Sequence, residues 1–354
     1  HFMEDMEWLD LLKVRASYGV NGNNNIDNYQ QYARYRAALY NGEAGYLLNS
    51  SNNDYLSWEK NKSWNIGIDY NFLKHFSGSI DFYSRKTTDM LLDRPLSRTT
   101  GFTSQMQNVG SLRNTGVEFQ FDANIIETKD VQWNAGINIS HNKSKILDLA
   151  GDEMIGDADY SALKYIKGEK LFTFYLRDYQ GVDPETGNAL WMDKNGDLTT
   201  KVSQARYIKA GSPEPTVTGG FHTDVTWKGI TLNIQLEGKF GNKILISENS
   251  YLHSDGYQMS MNQAASAMNY WKQPGDTNCN PKPVAGNSTS SYTSISTRFL
   301  ENGSYVRLKD ITLSYSLPKS WLSVVGVNNL KVYASGMNVY TFHNVDYFDP
   351  ERGI

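Results

Sequence analysis

Val131-Gln-Trp-Asn-Ala-Gly-Ile-Asn-Ile-Ser140 decides the fold of this chain. Its odd positions, Val131, Trp133, Ala135, Ile137 and Ile139, are apolar; its even positions, Gln132, Asn134, Gly136, Asn138 and Ser140, are polar or glycine. Successive side chains of a strand point to opposite sides, so this period of two describes a long strand whose faces meet different media. Working outward, Val117, Phe119, Phe121, Ala123 and Ile125 alternate with Glu118, Gln120, Asp122 and Asn124. Leu12, Val14, Ala16 and Tyr18 do the same, as do Trp64, Ile66, Ile68, Tyr70 and Phe72, then Ile230, Leu232, Ile234 and Leu236, then Ile311, Leu313, Tyr315 and Leu317. Weaker members fall at Ile80 and Phe82, at Val217 to Val225, and at Leu330, Val332 and Ala334. The sum is about nine strands, many of roughly 9–11 residues where soluble sheets use 5–6.

The connections alternate as strictly as the side chains. Short ones at Leu73 to Ser77, Glu127 to Asp130, Trp227 to Gly229 and, moderately, Pro318 to Asn329 take turns with long ones at Asn21 to Lys62, Thr88 to Arg113, Asn142 to Pro215 and Asn242 to Asn302. One rim of the sheet is therefore trimmed and the other carries the bulk. A strand pattern from Leu171 to Tyr179 would break this parity if it crossed the sheet, so it reads as part of a loop-borne hairpin. The helical pattern with the best periodicity, Met261 to Trp271, is short and lies between Gly- and Pro-rich stretches.

Composition agrees. The 354 residues include 23 Tyr, 14 Phe, 8 Trp and 29 Gly but 9 Pro, which favours strands and tight turns. Net charge is −4, without the basic excess that phosphate-backbone binding needs, which argues against nucleic acid as a partner. A single cysteine, Cys279, excludes an internal disulfide framework and a Cys-cluster zinc site. No run approaches the ~18 apolar residues of a spanning helix. The start, His1-Phe-Met-Glu-Asp-Met-Glu-Trp8, is acidic where a signal peptide is basic, so export would require a further N-terminal segment.

Apolar alternation fits a soluble sandwich with its apolar face inward, or a membrane barrel with that face outward. Three features favour the barrel: strand length matching a tilted crossing of ~9–11 residues, one-sided loops, and boundary tryptophans. Trp8, Trp133 and Trp227 lie at the short-turn rim on the apolar parity, Trp321 lies in the fourth short-rim connection, and Trp64 sits at the long-loop end. Only a closed sheet satisfies every backbone N–H and C=O in lipid. Nine strands beginning at the trimmed rim end on the other side, so at least one closing strand is expected after Ile354.

These stretches are familiar. Leu12-Lys-Val-Arg-Ala-Ser-Tyr-Gly19, Trp58-Glu-Lys60, Asn65-Ile-Gly-Ile-Asp69, Gly78-Ser-Ile-Asp-Phe-Tyr83, Asp89-Met-Leu-Leu92, Asn108-Val-Gly110, Asn114-Thr-Gly-Val-Glu118 and Gly303-Ser-Tyr-Val-Arg-Leu-Lys-Asp-Ile-Thr-Leu-Ser-Tyr315 follow one another in family order. Together they resemble the SusC/RagA-type TonB-dependent transporters of Bacteroidetes outer membranes. The resemblance implies about nine C-terminal strands of a 22-stranded, all-β, antiparallel transmembrane barrel with long extracellular loops, residues 1–354 being its C-terminal portion. The plug domain, first half of the barrel and closing strand would lie outside this chain. It also implies outer-membrane nutrient uptake: energy-coupled import of oligosaccharides or peptides, a SusD-like surface lipoprotein outside and a TonB complex reached through the N-terminal part.

Residues with chemistry are sparse. The six histidines are scattered, and no Gly-x-Ser-x-Gly elbow occurs. Carboxylates at Asp69, Asp81, Glu118 and Asp122 are interleaved with Asn, Gln and Lys, as in a polar lumen, and no enzyme is expected. Asp193-Lys-Asn195-Gly-Asp197 has the oxygen-ligand spacing of a calcium loop. Leu198 and Gln204 stand where that loop wants Gly and Glu, so a polar turn is the competing reading and calcium the only cofactor to consider. Substrate contact is expected from loop aromatics, foremost Tyr251, Tyr257, Tyr270, Trp271 and Trp191, whose flat rings stack on sugar or peptide faces. The rival readings are a soluble or surface β-rich glycan-binding or adhesive protein using the same rings, and a secreted carbohydrate-active enzyme.

Overall fold

The structure, a computed structural model, describes residues 6–156, 162–286 and 295–352; the acidic start at His1 to Asp5 and the last two residues lie outside the described part. One antiparallel sheet of nine strands dominates it. In chain order these are β1 (Leu9–Asn23), β2 (Glu59–Phe72), β3 (Phe76–Thr88), β4 (Ser111–Glu127), β5 (Val131–Asp148), β6 (Val217–Trp227), β7 (Ile230–Phe240), β8 (Tyr305–Ser316) and β9 (Lys331–His343). Each strand pairs with its neighbours in sequence, so spatial order equals chain order. All short turns therefore lie on one rim and all long connections on the other.

Register shows why the strands align this way. Following direct partners across the sheet, one row reads Leu12, Tyr70, Gly78, Phe121, Ile137, Phe221, Leu236, Leu308, Tyr340. The adjacent row reads Lys13, Asp69, Ser79, Gln120, Asn138, Gly220, Glu237, Arg307, Thr341. The first is apolar save for its glycine, and the second polar save for its own. A one-residue slip of any strand would exchange the two, which is what pins the register. Phe72, Phe76, Phe121 and Phe119 continue the apolar face as a ladder of stacked rings at 5.1, 5.9 and 6.5 Å.

The apolar face is uncovered: Val14, Ile66, Phe82, Ile137, Ile139, Phe221, Leu313 and Val332 are exposed. A soluble sandwich would place a second layer over them, and among the described residues none is there. Trp8, Trp133, Trp227 and Trp321 stand exposed at the short rim and Trp64 nearer the other end. The Trp133 indole donates to Thr223 Oγ1 at 3.0 Å, and that hydroxyl donates to the Asn134 carbonyl, so the one hydroxyl on this stretch of apolar face is satisfied locally.

Several strands exceed the sequence expectation, β4 and β5 reaching 17 and 18 residues, because pairing continues beyond the apolar stripe into the loop region. Buried apolar packing sits there: Met90, Val109, Leu112, Ile146, Leu149 and Ile155 form one cluster. The Leu171 to Tyr179 pattern resolves as Thr173–Arg177, part of a four-stranded loop sheet with Met154–Ile155, Leu163–Ile166 and Tyr207–Lys209. Met261 to Trp271 holds only a single 3-10 turn, Ala265–Met268, since Trp271 is drawn away to pack on another loop.

Strands β1 and β9 are the two sheet edges. Val14, Tyr18, Val332 and Met337 on them are 59–77% exposed, and each edge offers an unpaired backbone ladder to a neighbour. The 354-residue stretch expressed alone is therefore expected to associate or aggregate. Analytical ultracentrifugation checks this, and a monodisperse monomer with a sharp cooperative melt in detergent-free buffer would contradict it.

Candidate functional site

The polar face is a continuous hydrogen-bonding surface. Arg15 of β1 grips Asp69 of β2 through Nε and Nη2 at 2.9 and 2.8 Å, and the same Nη2 reaches Asp81 of β3 at 3.0 Å. The pair can span three strands because the residue between Arg15 and Asp81 is Gly67; any Cβ there would collide with both groups. Further toward the long-loop rim, Tyr83 donates to Asn142 Oδ1 at 3.0 Å across Gly116. Around it lies a recess of about 560 Å³ whose lining includes Ser17, Asn65, Tyr83, Arg85, Asn114 and Glu118. Near the other edge a β-bulge at Lys309 puts Lys309 and Asp310 on this face together. Lys309 bridges Glu237 at 3.3 Å and Glu351 at 3.0 Å, while buried Arg307 holds Asp349 and Glu351.

Above the sheet, the third and fourth long loops form one packed body. The keystone is Arg298, whose guanidinium makes two bonds to Asp255 at 2.6 and 2.8 Å with both side chains buried, and a third to Asn280 Oδ1 at 3.1 Å. Tyr179 of the third loop lies against that guanidinium at 5.7 Å, and burial pushes its phenol up to about 12. Trp271 crosses the same boundary: its indole donates to the Pro184 carbonyl at 3.0 Å, its ring packs beside Gly187, and Lys282 lies over it at 5.5 Å.

Loop aromatics expected to meet substrate thus divide. Trp191 is wholly buried with Ala189 and Ala205, edge-on to Tyr179 at 5.5 Å, so neither of its faces is open for stacking. Trp271 is likewise occupied, at 8% exposure. Both are corrections to the stacking expectation: Trp191, on the short strand Ala189–Met192, fills the core of its own loop, and Trp271 packs across onto the third loop. Tyr251 is 47% exposed, and Tyr257 and Tyr270 are half-buried, Tyr270 with Lys272 over its ring at 5.5 Å. Cys279 is a free thiol in the same loop, its pKa raised by burial and by Asp276.

Asp193-Lys-Asn195-Gly-Asp197 closes on its own backbone as a turn. Asp193 Oδ1 accepts the backbone N–H groups of Asn195 and Asp197 at 2.8 and 2.9 Å, and these bonds, that of Asp197 first, hold its carboxyl below the usual range. Among the described residues no cluster of three or more His, Cys, Asp or Glu side chains converges as a metal site.

A further cleft, of about 490 Å³, runs between the first and second long loops, lined by Asn52, Asn53, Asp54, Tyr55, Gln105 and Gln107 among others. Carboxamides stitch its walls: Asn53 donates to the Met106 carbonyl at 2.8 Å and Gln105 to the Asn52 carbonyl at 2.6 Å. Tyr55 stands 92% exposed beside it. Sequence reasoning passed over this cleft, although amide-rich Asn52-Asn-Asp-Tyr55 and Gln105-Met-Gln-Asn108 were its visible signal.

A nine-stranded sheet with its apolar face bare, its polar face hydrogen-bonded and its bulk on one rim has the form of a segment of transmembrane β-barrel. The family described as TonB dependent receptor-like, beta-barrel matches residues 6–330, and the chain belongs to it. Among relatives, TonB-dependent receptor P3 of Formosa agariphila is 31% identical over 99% of this chain and 37% of its own length. TonB-dependent receptor SusC of Bacteroides thetaiotaomicron is 30% identical, over 99% of this chain and 36% of its own. A solved structure of the RagAB peptide transporter superposes with a TM-score of 0.87 at 31% identity, over 99% of this chain and 39% of that one. The chain thus spans less than two fifths of the length of these relatives.

Proposed function

We propose that this chain forms one side of the wall and roof of a substrate chamber in an energy-coupled outer-membrane importer of oligosaccharides or peptides. The observation that carries the reading is the inverted polarity of the sheet: an exposed apolar face suited to lipid and a hydrogen-bonded polar face suited to a water-filled passage. The two clefts add chemistry. Carboxamides and hydroxyls donate and accept, as sugar hydroxyls and peptide groups do; Tyr55 offers an exposed ring at the second cleft, and Tyr251 another on the fourth long loop. A SusD-like surface lipoprotein closing over the long loops and a TonB complex at the short-turn side complete the machine in this proposal. In this proposal the chain passes its cargo unchanged: Asp69 and Asp81 are engaged by Arg15, and Glu237 and Glu351 by Lys309.

Uptake by the whole receptor tests it. Tyr55→Ala and Tyr251→Ala remove exposed rings, so both variants should keep the heat-modifiable migration of a folded barrel. Each is expected to lower uptake of the native substrate about fivefold, the equivalent of ~1 kcal/mol for one aromatic contact. Unchanged uptake together with unchanged capture of the lipoprotein would remove these loops from the chamber, and recovery of cleaved substrate would revive the enzyme.

A further inference from the structure

Beyond import, the outward face of β2 to β5 carries a feature that transport does not use. Following the register just outside the apolar band, Lys62 of β2 lies directly opposite Lys86 of β3, Lys86 opposite Arg113 of β4, and Arg113 opposite Lys145 of β5. All four alternate with residues of the polar face (Asn61 and Ser63, Arg85 and Thr87, Asn114, Ser144), so all four project from the lipid-facing side. Lys143 follows one row closer to the membrane. Lys62, Arg113, Lys143 and Lys145 are exposed and Lys86 is half-buried. Among the described residues none of the five makes an ion pair, whereas Lys60, one row further out, is bridged to Asp89 at 3.2 Å.

Like charges set directly across a strand pair repel. Four in succession without a protein carboxylate leave a site whose counter-charge comes from outside the chain. Its level identifies the source. Tyr18 and Trp64, exposed and paired with one another, mark where the apolar band meets the headgroups. The basic row stands two residues further along the strands, or ~7 Å before allowing for tilt, at the depth of lipid phosphates. Neighbouring strands lie ~4.8 Å apart, so the four cations form a comb ~14 Å long, wide enough for more than one phosphate. We infer that this comb binds the phosphorylated headgroups of anionic lipid in the outer leaflet, holding an annular lipid against the barrel beside the first two long loops.

The test uses the whole receptor reconstituted in vesicles of phosphatidylcholine with or without phosphatidylglycerol, then extracted gently and weighed with its retained lipid by native mass spectrometry. Wild-type receptor should retain phosphatidylglycerol preferentially. K86Q and R113Q should each weaken that preference about fivefold, the equivalent of ~1 kcal/mol per cation near a membrane surface, and K62Q/K86Q/R113Q/K145Q should abolish it. K239Q removes a cation from the opposite face and should leave the preference as in wild type. Equal retention by wild type and the quadruple variant, or an equal loss in K239Q, would overturn the assignment. Should the quadruple variant fail to assemble, the wild type decides alone: its preference should fall steeply as salt is raised, and a salt-independent preference would count against the comb. Inorganic phosphate at matched phosphorus that displaces the lipid would show a free-anion site instead and overturn the lipid reading.

Discussion

Replacing Ile137 by Arg should destabilise the assembled barrel by ~2–4 kcal/mol, the cost of a cation at the bilayer midplane. Ile137 sits between Phe121 and Phe221 in the apolar row, two rows from the Trp133 level on the short-turn side and three from Lys143 on the other. Ile234→Arg should cost less, because it pairs with Thr223, the partner of Ala135, one row nearer the short-turn rim. Asn138→Arg and Gln235→Arg, one residue on from each, place the same cation on the polar face and should be mild. Denaturant titration of the reconstituted receptor, read by loss of heat-modifiable migration, checks all four. Equal damage at both parities would mean that the two faces do not meet different media.

The second large effect concerns the loop body. Arg298→Met should destabilise the packing of the third loop on the fourth by ~3–5 kcal/mol, since it leaves Asp255 buried without its counter-charge. Asn280 loses a donor at the same time, and Tyr179 and Phe299 lose the guanidinium against their rings. Changing both partners, Arg298→Met with Asp255→Leu, should recover part of the loss, because a buried pair replaced by apolar groups of similar size is often nearly neutral. Hydrogen exchange over 172–210 and 249–286 is the readout. The single variant should expose both loops together while β5 to β8 stay protected. If only one loop loosens, the two are not one body.

Much of the sheet was legible because its cause is local. Alternation along β1, β2, β4, β5 and β7 fixed both strand and face, and the trimmed turns fixed the antiparallel order. The Lys228-Gly229 turn, for example, has both residues at positive φ, the geometry of the two-residue hairpin. The bulge in β8 was written in the same alphabet and passed over. Apolar parity runs Val306, Leu308 and then Ile311, Leu313, a skipped step that places Lys309 and Asp310 on one face. Failures cluster where cause is distant. Nothing near Trp191 or Trp271 tells a stacking ring from a packing ring; that depends on Tyr179, Pro184 and Gly187, brought in by other segments. Arg298 and Asp255, 43 residues apart, carried no pattern at all. The basic comb was equally hidden, because Lys62, Lys86, Arg113 and Lys145 become neighbours only once four strands are in register.

The most direct test of the barrel reading is a cysteine scan of β5 from Ala135 to Ser140 in the whole receptor with Cys279→Ser as background. Each site is labelled with a small fluorophore and reconstituted in vesicles containing brominated acyl chains. Strong quenching is expected at Ala135, Ile137 and Ile139 and weak quenching at Gly136, Asn138 and Ser140. Quenching of opposite phase, or of equal strength at every site, would contradict an apolar face turned to lipid.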